Sequence, residues 1–228
     1  MLFLVIQDVK KRKRKVTEDY YVIDGEKYDR VTRILDIIAK PEFYRWYGKY
    51  GYEYCQNHME NRATFGTQAH KNFERILKGE DVDIYGVGRE LSDTLQQFMK
   101  WCNDNDLQPI YIEQHLFNPD LKVAGTADFI GYYNGDFVLI DWKTSARLYD
   151  EQYLQLATYI SLYQRMDFKE KIKYGMIVNI KPDKISVVSI SLDDAEYLFN
   201  IFCSALNVYR WKINRKWLKN AKKKERKN

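Results

Sequence analysis

Beyond residue 108 the apolar residues stop recurring every three or four positions and come instead in short, dense runs. Residues 109–117, 123–133 and 137–141 are apolar and rich in β-branched and aromatic types. That composition suits a pleated, half-buried surface. Asn118-Pro-Asp-Leu and Asn134-Gly135 separate the runs. A two-residue Asn-Gly loop joins antiparallel neighbours, so the three runs predict an antiparallel meander. Residues 150–165 then read as a helix before a fourth run at 172–180. A helix between two strands is a crossover, which returns the fourth run parallel to the third. The turn Lys181-Pro-Asp-Lys184 leads to a fifth run at 185–190. The expected fold class is α/β: a central mixed sheet of about five strands flanked by helices.

The flanks fit that layout. Tyr20-Tyr-Val-Ile-Asp-Gly25-Glu-Lys-Tyr28 predicts a hairpin on an Asp-Gly turn. Thr32 can cap a helix through residues 33–38. The aromatic segment 43–54 is expected to be helical and to pack as a flap or lid, with base stacking as the other reading. Residues 65–77 predict a helix with His70, Phe73, Glu74 and Leu77 on one face. Residues 90–103 predict another. A long amphipathic helix is expected over 193–217, its apolar side formed by Leu198, Ile201, Phe202, Ala205, Leu206 and Tyr209.

Four prolines in 228 residues, and no Gly/Ser-rich linker, favour one domain with its core at 16–209. Cys55, Cys102 and Cys203 are far apart and fit no metal or redox spacing. The apolar start, Met1-Leu-Phe-Leu-Val-Ile6, is shorter than a signal-peptide core and precedes its basic run. With no transmembrane run, an intracellular protein with no membrane partner is expected. The net charge of +5 is unevenly spread. Residues 10–15 carry six cations and residues 210–228 carry ten Lys/Arg against Glu225, leaving 21 Lys/Arg against 31 Asp/Glu elsewhere. Basic ends on an acidic body fit a nucleic-acid binder whose centre holds metal ions.

Gly125-Thr-Ala-Asp128 lies within the second run, and Leu139-Ile-Asp141-Trp-Lys143-Thr144 continues from the third. Residues i and i+2 of a strand share a face, so Asp141 and Lys143 point one way and Trp142 the other. Two carboxylates from neighbouring strands offer oxygen to a hard divalent cation. The lysine can position or activate water, or stabilise charge on a phosphate. An isolated Asp-x-Lys is more often a surface ion pair.

Two further elements recur with these: Gly66-Thr-Gln-Ala-His70, with Glu74 one turn on, and Gln155-Leu-Ala-Thr-Tyr159. Together, in order and approximate spacing, the four resemble the RecB-like branch of the PD-(D/E)XK nuclease superfamily, in particular its phage-type and mitochondrial genome maintenance exonucleases. Asp29-Arg-Val-Thr32 is similar to the branch's Pro-Ser-Val-Thr helix entry but lacks the Pro and Ser. The resemblance runs from about residue 20 to 190. It implies a restriction-endonuclease-like core. It implies Asp128 and Asp141 as metal-binding acids, Lys143 as the catalytic lysine, and His70 as a further ligand. Gln155 and Tyr159 match the helix that supports the site and touches DNA. The backbone carbonyl of Trp142 is a candidate extra ligand. Glu113 matches an acid often present ahead of the first metal-binding acid. Glu74 could ligate metal, orient Lys143 or face solvent. Thr144, Ser145 and Arg147 could hold a phosphate or cap the next helix.

The function these readings imply is hydrolysis of DNA phosphodiesters with one or two Mg²⁺ or Mn²⁺ ions. An exonuclease acting on single strands or free ends in replication, recombination or repair is expected. A structure-specific endonuclease and a non-catalytic DNA-binding recombination partner are the alternatives. Three scattered cysteines cannot supply the four-cysteine iron–sulfur cluster of some relatives.

Overall fold

The structure, a computed structural model, describes residues 14–16, 20–38 and 40–214. Strands β1 (Arg14–Val16), β2 (Tyr20–Ile23) and β3 (Glu26–Arg30) form an antiparallel unit. Helices α1 (Val31–Leu35), α2 (Pro41–Tyr50), α3 (Tyr52–Leu77) and α4 (Arg89–Asp104) follow. Next come β4 (Gln108–Asn118), β5 (Val123–Tyr133) and β6 (Asp136–Lys143), then α5 (Asp150–Gln164). β7 (Tyr174–Ile180), β8 (Ile185–Ile190) and α6 (Leu192–Ile213) complete the described chain.

All eight strands join one mixed sheet in the order β1-β2-β3-β5-β6-β7-β8, with β4 paired to β5. The meander forms as the turn chemistry dictates. Asn134 and Gly135 take φ of 48° and 85°, values suited to the primed two-residue turn. Asp24 and Gly25 do the same at 52° and 84°. The crossover through α5 lays β7 parallel to β6. The sheet exceeds the expected five strands because β3 pairs parallel with the start of β5 at Asp29 and Arg30, bringing in the N-terminal hairpin.

Two apolar layers cover the sheet. α1, α5 and α6 pack on one face around Leu139, Leu156, Ile160, Tyr163 and Phe202. α3 and α4 pack on the other around Trp142, Phe73, Phe98 and Phe129. Along β6 the side chains alternate strictly, with Phe137 and Leu139 in the first layer and Val138, Ile140 and Trp142 in the second. No helix among the described residues is long and apolar enough to cross a membrane.

Four expectations are corrected. Thr32 does not cap α1. The helix begins at Val31, and burial of Val31, Ile34 and Leu35 sets its register. The 65–77 helix is the second half of the 26-residue α3. On α6 the buried stripe is Ala195, Phe199, Phe202 and Leu206, with Leu198, Ala205 and Tyr209 packed against the same core as expected; of the expected face, Ile201 turns out to 39% exposure. The aromatic segment is helical as expected but packs less fully than a flap or lid would: no residue of α2 is fully buried, and Tyr44 and Tyr52 are 75% and 70% exposed. Within the basic segments, Arg14 and Lys15 lie in β1 and Arg210 and Lys212 in α6, while residues 10–13 and 215–228 lie outside the described residues.

Candidate active site

The site is built where two strands part. β5 offers the same edge to β3 at Val123 and Ala124 and to β6 from Phe129 onward, since β4 occupies its other edge at both places. The last β5–β6 pair is Phe129 with Ile140. Beyond it the strands diverge, and Asp128 and Asp141 occupy the fork. Asp128 Oδ2 accepts the backbone N–H of Trp142 at 2.8 Å, so a carboxylate bridges the gap that the sheet leaves.

Side-chain alternation also breaks here. Ala127 packs in the layer of α5, yet Phe129, two residues on, packs in the layer of α3. A regular strand would put both on one face. Pairing between β4 and β5 passes from Ile112–Phe129 to Gln114–Ala127, stepping over Glu113 and Asp128. Glu113 has φ of 52°, a left-handed conformation that costs a non-glycine residue about 1–3 kcal/mol. A kink in both strands therefore centres on the two acids.

Asp141 is 1% exposed. Its Oδ1 accepts from Gln155 Nε2 at 3.2 Å. Its Oδ2 lies 2.5 Å from Lys143 Nζ, a charge-assisted contact that pairs the buried carboxylate with the ammonium. Lys143 Nζ donates to Gln155 Oε1 at 3.2 Å, and Gln155 Nε2 also donates to the Tyr159 hydroxyl at 3.1 Å. One amide orientation satisfies all three partners, because the ammonium needs an acceptor and the carboxylate a donor. The spacing of four puts Gln155 and Tyr159 on one face of α5. Gly125 lets the Tyr159 ring lie directly against β5, where a methyl group would collide with Cε1.

His70 reaches the acids from α3, its Nδ1 3.4 Å from Asp128 Oδ1. Charges in the cluster move one another. Burial alone would raise the Asp128 pKa, but His70, Lys143 and the Trp142 N–H reverse this and hold it below the usual carboxylate range. Burial and the neighbouring Asp128 push Asp141 up to about 6 against the pull of Lys143. Burial would lower His70, yet Asp128 keeps its imidazole above its ordinary value. Glu113 is pushed up to about 7 by burial and then by Asp128. Burial, then Asp141, raise the Tyr159 phenol well above its usual value.

His70, Asp128, Asp141, Lys143, Gln155 and Tyr159 thus meet at one place. Glu113 lies opposite Asp128 within reach of its field. Glu74 is partly exposed, pairs with Lys78 at 2.5 Å and lies within the field of Glu113. Trp142 packs its ring into the second layer, as its alternation requires, and offers Asp128 its N–H. Thr144, Ser145 and Arg147 do not cap α5, whose N-cap is Tyr149. They line a groove of about 710 Å³ that also touches His70 and Lys143. Asn179 on β7 anchors this loop by donating to the Ser145 carbonyl at 3.0 Å.

Among the described residues no three His, Cys, Asp or Glu side chains stand as a ready ligand set. The donors face one another, with His70 on Asp128 and Lys143 on Asp141. By type they fit a hard divalent cation, since two carboxylates and an imidazole are present together.

Sequence reasoning passed over the groove's α3 wall. Arg62 donates to the Thr144 carbonyl at 3.1 Å, and His58 and Met59 also line the groove. The signal is in the spacing: Met59, Ala63 and Gly66 continue the helix face of His70 and Phe73 towards the N-terminus of α3. A second network was also missed. Thr126 Oγ1 lies 2.8 Å from both the Tyr21 hydroxyl and His115 Nδ1.

No protein-family model matches the chain, and no curated protein matches it. The solved crystal structure of SSO0001 aligns with the chain at 19% identity and a TM-score of 0.43, over 82% of this chain and 77% of that one.

Proposed function

We propose that this chain is a metal-dependent DNA nuclease on a restriction-endonuclease-like core, related to the RecB-like PD-(D/E)XK enzymes and acting on single strands with free ends. One observation carries the reading: Asp128, Asp141, Lys143 and Gln155 converge at a fork in the sheet, in a hydrogen-bonded cluster almost closed to water. Surface ion pairs do not need such a cluster. Burying two carboxylates side by side is costly unless something repays it.

Asp128 and Asp141 would hold Mg²⁺ or Mn²⁺, with His70 and the Trp142 carbonyl as further donors. Such an ion, when bound, supplies positive charge that polarises a phosphate and makes a bound water more acidic. Gln155 fixes Lys143 from one side and Asp141 from the other, so the ammonium is held beside the acids. There it can orient the attacking water or carry the charge that develops on phosphate oxygen. Tyr159 orients Gln155 in turn.

The test is digestion of linear and circular single-stranded DNA, with 5′-labelled and 3′-labelled duplexes alongside, in Mg²⁺ or Mn²⁺. The expected outcome is loss of the linear single strand, survival of the circle and no reaction in chelator. Cleavage of the circle would move the assignment to an endonuclease. Failure to cleave any of these at millimolar Mn²⁺, with salt-sensitive binding retained, would reduce the chain to a binding module.

A further inference from the structure

Helix α2 is anomalous. It runs for ten residues, Pro41–Tyr50, without burying one of them. Ion pairs at its first turn hold it to the body: Lys40 to Glu151 at 2.5 Å and Glu42 to Arg147 at 2.8 Å. A helix that contributes nothing to the core and still carries five aromatic residues calls for another use of its rings.

Two of those rings, Phe43 and Trp46, are half-buried and line the groove that ends at Lys143 and His70. Tyr149, Arg147 and Thr144 also line it. Its volume, about 710 Å³, falls within the range of small-ligand sites, about 300–1,000 Å³. The ring neighbours of Trp46 meet it at 42°, 52° and 75°, so none of these rings stacks parallel to the indole. Cations border these rings. Arg147 sits over the Tyr149 ring at 4.9 Å and pairs with Glu42, while Arg62 pairs with Glu90. Both pairs are substantially exposed, so a phosphate can replace either glutamate at little cost.

We infer that this groove is a nucleobase-stacking subsite. It takes an unpaired nucleotide next to the phosphate at Lys143, with Trp46 and Phe43 against the base and Arg147 released from Glu42 to the flanking phosphate. Apolar ring faces beside guanidinium groups match the chemistry of a single strand, whose bases expose their faces and whose backbone is anionic. A base within a duplex has both faces covered by its neighbours and gains nothing from these walls. The inference rests on the nuclease reading only for the direction in which the strand leads.

The experiment measures binding in chelator, where no cleavage occurs. The probes are a fluorescent oligothymidylate and an abasic strand of equal length and charge. Wild-type protein should prefer the thymidylate by about tenfold or more for each base stacked. Trp46→Ala should remove most of that preference and leave abasic affinity unchanged, while Trp46→Phe should retain it. Because no residue of α2 is fully buried, these variants should fold, which circular dichroism checks. Equal wild-type affinity for the two strands would overturn the subsite, as would a Trp46→Ala variant that weakens both alike or a duplex that competes as well as the single strand. Base preference without any cleavage would keep the subsite and sink the nuclease reading; cleavage without base preference would do the reverse.

Discussion

At the level of single residues, Lys143 and Glu113 separate two kinds of site chemistry. Lys143 touches Asp141 and Gln155, so Lys143→Ala should remove reaction chemistry without touching the other residues that line the groove. Cleavage in Mg²⁺ should fall at least about a thousandfold, with oligonucleotide affinity changed only a few-fold. An active variant in that assay would end the mechanism. Glu113 reports through pH. In the fold its carboxyl is pushed up to about 7, first by burial and then by Asp128. The folded protein therefore keeps a proton that the unfolded chain has released, and stability falls as pH rises from about 4.5 to about 7. Glu113→Gln has no such proton to lose. Urea unfolding in chelator should find it more stable than wild type at about pH 8, by about 1–2 kcal/mol once partial solvent screening is allowed for, and nearly equal at about pH 4. Equal stability at both pH values would show that the carboxyl is not perturbed.

At the level of elements, the contact between β5 and α5 is the one that aligns the site. Gly125 admits the Tyr159 ring, Tyr159 positions Gln155, and Gln155 holds both Lys143 and Asp141. Gly125→Ala should force the ring away, costing about 1–3 kcal/mol by overpacking. It should also reduce cleavage more than it reduces DNA binding. Chemical denaturation and single-turnover rates measure the two effects; full activity in the variant would mean that α5 is not the aligning element. Most of this contact was legible in the chain. The strand runs, the Asn134-Gly135 turn and the four-residue spacing of Gln155 and Tyr159 are local signals. The kink at Glu113 and Asp128 was not legible, since a positive φ in a glutamate has no sequence mark. Nor was the bareness of α2, because an aromatic-rich helix reads as apolar whether or not anything covers it.

At the level of the whole molecule, the last described element is tied back to the N-terminal hairpin. Arg210 near the end of α6 donates to Asp29 Oδ2 at 2.8 and 3.0 Å and to the Leu121 carbonyl at 2.6 Å, joining β3 to the β4–β5 loop. Arg210→Ala should cost about 1–2 kcal/mol and lower Tm by several degrees without changing the ratio of activities on different substrates. An unchanged Tm would show the tie to be dispensable. The eight-stranded extent of the sheet was hidden because it depends on β3 reaching β5 across more than ninety intervening residues, and no local pattern encodes so distant a pairing. The fork between β5 and β6 has a bearing on ancestry. Asp128 and Asp141 stand at the open end of a hairpin closed by Asn134-Gly135. Two residues added to each arm would lengthen the far end, preserve inward and outward alternation, and leave both acids where they are. Insertions between the two acids are therefore expected to come in even numbers of residues, since an odd one would turn one arm's side chains to the wrong face of the sheet.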